Sequence, residues 1–203
     1  YTGWYTLSLH DALPIFYINL GKGEFKKVAT PALSGSKSCV RAADINSDGF
    51  VDLFVGGNFL PGEYPLSGGS YILINNKNGG FEDKTASICP ELKTVSLVKD
   101  ALWLDLNNDK KPELVLAGEY LPIQVFEIKN NTLENVSDSY LDTKLKGWLN
   151  KIASADLNKD GKPDLIIGNL GLNHQLNASP NKPVELIAKD FDSNGSIDGI
   201  VSY

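Results

Sequence analysis

The sequence predicts an all-β protein built from repeated antiparallel units, and three observations lead to this prediction. An acidic loop pattern occurs four times, short apolar runs flank the copies, and turn-forming Gly, Asn and Asp are plentiful. The apolar runs are rich in β-branched and aromatic residues and are bounded by turn residues, which is typical of strands. With 203 residues, of which 42% are hydrophobic, the chain is long enough to bury a substantial core.

The four acidic loops share the pattern Asp-x-Asn/Asp-x-Asp/Asn-Gly-x-x-Asp, whose residues we number as positions 1 to 9. Oxygen atoms at positions 1, 3 and 5 converge on one point when the chain curls, and Gly at position 6 permits the positive φ that completes the curl. These oxygen ligands suit Ca²⁺ and offer nothing to soft transition metals. The predicted ligands are Asp44, Asn46, Asp48 and Asp52 in loop 1, Asp105, Asn107, Asp109 and Glu113 in loop 2, Asp156, Asn158, Asp160 and Asp164 in loop 3, and Asp190, Asp192, Asn194 and Asp198 in loop 4.

Loop 2, at residues 105–113, is predicted to be the weakest of three to four calcium sites. Lys110 stands at its position 6, where a side chain makes the positive φ unfavourable, and Glu113 replaces Asp at position 9. The loop could also be free of metal, because Asp, Asn and Gly are common in hairpin connections without any ion. The recurrence of the same acidic spacing in four loops is what indicates calcium.

The spacing of the loops predicts units of about 50 residues with four strands each, which is the size of a β-propeller blade. We assign residues 38–94 and 95–147 to two blades, 16–37 to part of an earlier blade and 148–203 to an incomplete one. The expected fold is a partial β-propeller with about three to four blades and calcium-binding loops between strands. A calcium-binding β-roll is the competing architecture, but its repeats are much shorter. Residues 185–190 are either the first strand of a further blade or a later strand of the preceding one.

Residues 1–15 resemble one translated frame of a short-read sequencing adaptor, so we leave them out of the fold prediction. We expect them to make no strand pairing with the other residues, and we do not count His10 or Asp11 as catalytic candidates. The alternative is a genuine, irregular N-terminal segment. On the adaptor interpretation, the rest of the propeller and any export signal lie outside this sequence.

Composition excludes several classes of protein. The net charge of −6 and the lack of a basic patch argue against nucleic acid as a partner. No apolar run approaches the roughly 20 residues of a transmembrane helix. We expect Cys39 and Cys89 to be unpaired, buried side chains, because the three intervening strand steps of about 4.8 Å separate them too far for a disulfide. His174 is expected to be an ordinary loop residue, and no motif of a catalytic nucleophile or metal hydrolase occurs.

The loops, the apolar strands after them and the run Tyr71–Asn75 leading to Gly80 resemble the FG-GAP/VCBS repeat family, which includes the propeller repeats of integrin α-subunits. Residues 168–173 together with loop 4 look like bacterial surface proteins of the cartilage-acidic-protein-like group. The resemblance implies a β-propeller with Ca²⁺ in strand-connecting loops and a location outside the cell or in the cell envelope. It also implies adhesion or binding of a protein or carbohydrate ligand.

We therefore expect a calcium-stabilised binding module and not an enzyme. Two alternatives stay open, namely part of a polysaccharide lyase and a structural spacer in a larger surface protein. A lyase would need a Lys, Tyr or His base beside a calcium-bound uronate, and the sequence shows no such cluster. Among aromatic residues that could stack on sugars, Trp103 is expected in the core, Tyr64 is the better surface candidate, and Trp148 and Tyr120 are further ones.

Overall fold

The computed structural model describes residues 14–28, 30–95, 97–142, 146–171, 178–179 and 181–202. Strands dominate this part of the chain and every pairing between them is antiparallel, which confirms the all-β class. His174 and the segment of residues 7–13 lie outside the described residues. Among the described residues, no helix is long and apolar enough to cross a membrane.

The strands form short units in chain order. They are β1 (Phe16–Gly21), β2 (Glu24–Val28), β3 (Lys37–Ala43), β4 (Asp52–Gly57), β5 (Tyr71–Asn75), β6 (Phe81–Asp83), β7 (Val98–Leu104), β8 (Glu113–Leu121), β9 (Gln124–Lys129), β10 (Thr132–Asn135), β11 (Gly147–Ala155), β12 (Asp164–Asn169), β13 (Glu185–Lys189) and β14 (Asp198–Ser202). The helical turns are α1 (Thr85–Ile88), a 3₁₀ turn (Pro90–Lys93) and α2 (Ser137–Tyr140).

Two segments of the chain each form a complete four-stranded meander. We call β3–β6 unit 1 and β7–β10 unit 2, and the pairs β11–β12 and β13–β14 units 3 and 4. β1 and β2 form a separate hairpin. β11 also pairs with the end of β8, through Gly147 opposite Leu121 and Trp148 opposite Glu119. The sheets of the described residues do not form a closed ring, so the number of blades stays a prediction.

Each acidic loop connects two paired strands in the same register. The residue before position 1 stands opposite position 9 in every pair, namely Ala43 opposite Asp52, Leu104 opposite Glu113, Ala155 opposite Asp164 and Lys189 opposite Asp198. β13 and β14 thus pair in the same register as the first two strands of units 1, 2 and 3. Of the two alternatives that the sequence left open, this register favours the one in which β13 is the first strand of a further unit.

The ends of two predicted strands are helical instead. From residue type alone, the runs 81–87 and 132–138 are β-like over their whole length, but α1 and α2 begin two residues after β6 and β10 end. Asp83 Oδ1 accepts the backbone N–H of Thr85 at 2.9 Å, and Asn135 Oδ1 accepts that of Ser137 at 3.1 Å. Such local side-chain bonds compete with the sheet for the backbone and start a turn.

The core consists of apolar layers between neighbouring units. Leu53 and Val55 of β4 pack toward the β1–β2 hairpin, whereas Phe54 between them packs toward unit 2. In β8, Leu114 packs toward unit 1 and Val115 toward unit 3. Successive side chains of a strand point to opposite faces, so these strands are apolar throughout because both faces of the sheet are covered.

A buried carboxylate joins the first strands of three units. Asp100 of β7 is 2% exposed and pairs with the Arg41 guanidinium of unit 1. The Lys151 Nζ of unit 3 lies 3.4 Å from Asp100 Oδ2, and the backbone N–H of Ile152 donates to the same oxygen at 3.2 Å. A buried charge that is paired and hydrogen-bonded in this way fixes the relative positions of its partners.

The prediction for the two cysteines is confirmed, and Trp103, expected in the core, lies at the edge of it. Cys39 and Cys89 are both free and buried. Burial raises the pKa of each thiol, and for Cys89 the value is about 11. Trp103 is half-buried and packs against the layer between units 1 and 2.

Candidate metal centres

The acidic side chain at position 1 organises each loop by accepting the backbone N–H groups of positions 5 and 6, and in loop 3 also that of position 4. In loop 1, Asp44 Oδ1 accepts the N–H of Asp48 at 3.0 Å and Asp44 Oδ2 accepts that of Gly49 at 2.8 Å. The second of these bonds measures 2.9 Å in each of loops 2, 3 and 4. The chain between positions 1 and 6 is therefore curled in the same way in all four loops.

The side chains at positions 3 and 5 also make the same hydrogen bonds in all four loops. The N–H of position 5 also donates to the side-chain oxygen at position 3, over 3.0, 2.9, 2.9 and 3.2 Å in loops 1 to 4. The side-chain oxygen at position 5 in turn accepts the N–H of position 7, over 2.9, 2.8, 2.8 and 2.7 Å. Each predicted ligand is thus held in place by a backbone donor, and a carboxylate has further lone pairs for a cation.

Position 9 closes the loop from the first residue of the next strand. Its carboxylate accepts the N–H of position 2 at 3.0, 2.7, 2.7 and 3.1 Å in loops 1 to 4. In loop 1 this residue is Asp52, which is fully buried and whose other oxygen accepts the N–H of Asn75 in β5 at 2.8 Å. Loop 1 is therefore tied to the middle of its own sheet.

The backbone at position 6 has the positive φ that the sequence predicted. Gly49, Gly161 and Gly195 have φ of 85°, 81° and 86°, and Lys110 is held at 70°. Position 4 also has a positive φ in every loop, between 59° and 64°, at residues Ser47, Asn108, Lys159 and Ser193. Residue type does not predict a positive φ at this second position, because it holds Ser, Asn or Lys and never Gly.

In loop 4, three acidic side chains of the loop itself lie close together. One carboxylate oxygen from each of Asp190, Asp192 and Asp198 lies within 4.8 Å of the others. Calcium binds oxygen at about 2.3–2.6 Å, so oxygens on opposite sides of one ion are about 5 Å apart. These three carboxylates therefore fit a single Ca²⁺.

Loop 2 contains a carboxylate that sequence reasoning missed. Oxygens of Asp109, Glu113 and Glu127 lie within 4.8 Å of one another, and Glu127 comes from β9, outside the loop. The pKa of the Glu113 carboxyl is raised, chiefly by burial and then by the charges of Asp109 and other nearby acids. The equivalent of Glu127 in β5 is the apolar Ile74, and a carboxylate inside an apolar strand was the available signal. The Lys129 ammonium lies 2.8 Å from Glu127 and offsets part of this charge.

One of the predicted ligands of loop 1 forms an ion pair with a lysine. Lys77 Nζ lies 3.0 Å from Asp48 Oδ2 and 5.1 Å from the centre of the Phe50 ring. The N–H of Phe50 and then Lys77 hold the pKa of Asp48 below its usual value. A metal ion at this position would compete with the ammonium group.

Most of the predicted aromatic surface residues lie at the other end of the units. Tyr64 is half-buried, and its hydroxyl donates to Glu119 Oε2 at 3.2 Å, while Lys99 Nζ lies 2.7 Å from Glu119 Oε1. The ring centres of Tyr120 and Trp148 are 5.6 Å apart. Burial, followed by the charge of Glu119, raises the pKa of both Tyr64 and Tyr120.

The fold and the loops define a class of protein, an all-β repeat protein with an acidic loop between the first two strands of each unit. Residues 105–167 of the chain match the model of the FG-GAP-like repeat family. This match confirms the resemblance seen in the sequence. The matched segment begins at the first aspartate of loop 2 and ends within β12. A search among curated proteins finds no match.

Proposed function

We propose that this chain is part of a calcium-stabilised β-propeller that serves as a binding or adhesion module of a secreted or cell-surface protein. The FG-GAP-like repeat and the four-stranded antiparallel units support the propeller. The repeated hydrogen-bond frame of the four loops supports the calcium sites. The partner in this proposal is a protein or a carbohydrate.

The observation that carries the proposal is the identical frame around oxygen ligands in four separate loops. Side chains at positions 1, 3, 5 and 9 would hold the ion in each loop, and in loop 2 Glu127 lies close enough to join them. The ion would supply positive charge among carboxylates that otherwise repel one another. A role in stability fits this arrangement, because the ligands are built into strand connections.

An extracellular location agrees with sites of this kind. Extracellular calcium modules have dissociation constants of about 10⁻⁴–10⁻³ M, which suit millimolar calcium outside cells. At about 1 mM Ca²⁺ each such site would add on the order of 0.4–1.4 kcal/mol to the free energy of unfolding. Several weak sites together would make the fold depend on calcium.

The lyase alternative is less well supported. Its base would have to lose a proton near neutral pH, and Tyr64 and Tyr120 have raised pKa values because they are partly buried beside Glu119. Burial beside Glu119 therefore makes the deprotonated form of either tyrosine harder to reach. Assaying the full-length protein on pectin-like polymers separates lyase from binder, and a glycan and protein array separates binder from spacer.

Thermal unfolding with and without calcium tests the metal proposal. We expect EDTA to lower the melting temperature of the protein and millimolar Ca²⁺ to restore it, with Mg²⁺ as the control because it demands tighter octahedral geometry. A melting temperature that does not respond to calcium would remove the metal from the proposal.

Alanine variants at position 5 test the predicted order of the sites. We expect Asp48→Ala and Asp160→Ala to lower the melting temperature in calcium more than Asp109→Ala does, because Lys110 weakens loop 2. In EDTA the three variants should differ little. If Asp109→Ala is the most damaging in calcium, the extra carboxylate of Glu127 outweighs the cost of Lys110.

A further inference from the structure

Tyr120, near the end of β8, has a backbone conformation that does not suit its side chain. Its φ is 57°, in the left-handed region, where a bulky residue is an outlier. Tyr120 and Gly171 are each the seventh residue after position 9 of their units, and Gly171 has a φ of 59°. Unit 3 thus forms this turn with glycine, the residue that adopts it freely, whereas unit 2 forms it with tyrosine. Such strain is concentrated at functional sites, which points to a use for the Tyr120 side chain.

The Tyr120 side chain lies where three units meet. Its ring centre is 5.6 Å from that of Trp148, near the start of β11 in unit 3. The preceding residue, Glu119, is 5% exposed, and its carboxylate accepts the hydroxyl of Tyr64 from unit 1 at 3.2 Å. Lys99 Nζ of unit 2 lies 2.7 Å from the other oxygen of Glu119. We call these five side chains the three-unit cluster.

Buried polar atoms without partners lie at the same end of the units. Among the described residues, four buried side-chain nitrogen or oxygen atoms make no hydrogen bond of good geometry, and three of them belong to Asn58, Tyr120 and Gln124. Asn58 directly follows β4 and Gln124 begins β9, so both stand at the end opposite the acidic loops. Buried polar atoms are nearly always hydrogen-bonded, so a partner is expected for each. A ligand rich in hydroxyl groups would supply donors and acceptors at this end.

We propose that the three-unit cluster binds an uncharged pyranose sugar, either alone or as one residue of a longer glycan. The half-buried rings of Tyr120 and Trp148 offer flat apolar surface to the C–H face of the sugar. The Tyr120 and Tyr64 hydroxyls and the Lys99 ammonium offer hydrogen bonds to its hydroxyl groups. The charges of Lys99 and Glu119 offset each other, so the cluster does not favour a charged ligand. The inference rests on the binding part of the proposed function, which it narrows to carbohydrate, and not on calcium.

Tyr64 and Glu119 have different parts in this site from the two stacking rings. The backbone of Gly199 covers one edge of Tyr64, because a Cβ at Gly199 would be 3.5 Å from the ring carbon Cδ1. Tyr64 therefore contributes its hydroxyl, and the stacking surface is the Tyr120–Trp148 pair. Glu119 is a positioning residue, because its two oxygens hold the Tyr64 hydroxyl and the ammonium group of Lys99.

Saturation-transfer NMR on the whole chain tests the site, with the methyl glycosides of glucose, galactose, mannose and N-acetylglucosamine as probes. We expect at least one probe to bind and Tyr120→Gly to weaken it about tenfold, while the melting temperature changes little because glycine suits this φ. Tyr120→Phe keeps the ring and should weaken binding about threefold to tenfold. Tyr17→Gly, at a tyrosine that is 59% exposed on β1, is the matched control and should bind as the unchanged chain does. No binding of any probe, or equal affinity in the unchanged chain and both Tyr120 variants, would overturn the proposal.

A charged sugar provides a second measurement. Methyl glucuronide should bind at least about threefold more weakly than methyl glucoside, because its carboxylate would lose water without gaining an unpaired cation. Equal or tighter binding of the glucuronide would overturn the choice of an uncharged sugar. A protein ligand that Tyr120→Gly abolishes, without sugar binding, would overturn the carbohydrate inference and leave the binding module. A flat calcium titration would remove the metal sites while leaving sugar binding unaffected, so the failures can be told apart.

Discussion

Replacing Lys110 by glycine should stabilise the protein. Lys110 is held at a φ of 70°, a left-handed conformation that costs an L-residue about 1–2 kcal/mol. Glycine removes this cost but increases the entropy of the unfolded chain, which opposes folding by about 0.4–1 kcal/mol. The net gain is about 0.5–1 kcal/mol, or a rise in melting temperature of about 1–4 °C for a chain of this size.

The neighbouring lysine provides a matched control. Lys111→Gly makes the same change of charge, but Lys111 is not among the residues with a positive φ. This variant should lose about 0.5–1 kcal/mol through backbone entropy alone. Both variants are compared by thermal unfolding in EDTA, so that calcium affinity does not enter the comparison.

The two lysine variants should therefore differ by about 1–2 kcal/mol in free energy of unfolding, with Lys110→Gly the more stable. If Lys110→Gly proves no more stable than Lys111→Gly in EDTA, the strain at position 6 is not real.

Three further predictions follow from named contacts. Asp100→Asn should lower the free energy of unfolding in urea by about 2–3 kcal/mol. This is less than for a wholly buried ion pair, because the Arg41 partner is about a third exposed. A loss below about 0.5 kcal/mol would contradict the role of this carboxylate between units. Lys77→Ala should strengthen binding at loop 1 about twofold to fivefold by terbium luminescence, since it frees Asp48, and unchanged affinity would show that the ammonium does not compete. Burial raises the pKa of Cys89 from 9.0 to about 11, so its unfolded thiol ionises first and stability should fall as pH rises between these values; a Cys89→Ala variant should lose less stability over that range.

Local signals predicted much of the candidate site. The loop boundaries, the hydrogen-bonding side chains at positions 1, 3, 5 and 9 and the positive φ at position 6 follow from residue type and spacing, because each loop is a continuous segment. The sequence also gave the strands on both sides of every loop. Glu127 and Lys77 could not be found in this way, since each reaches a loop from a different strand or turn of its unit.

The sequence by itself determined the repeated unit: an apolar strand, an acidic loop and a second apolar strand in which both faces are suited to burial. Hydrophobic periodicity and turn-forming residues are local properties of the chain. The repeated unit could therefore be predicted without knowing which segments it packs against. Only the tertiary structure decided how units meet. It placed Asp100 between Arg41 and Lys151, paired β13 with β14, and showed which apolar positions of units 1 and 2 face each other. These outcomes depend on packing between segments far apart in the chain, and no short-range pattern in the sequence specifies them.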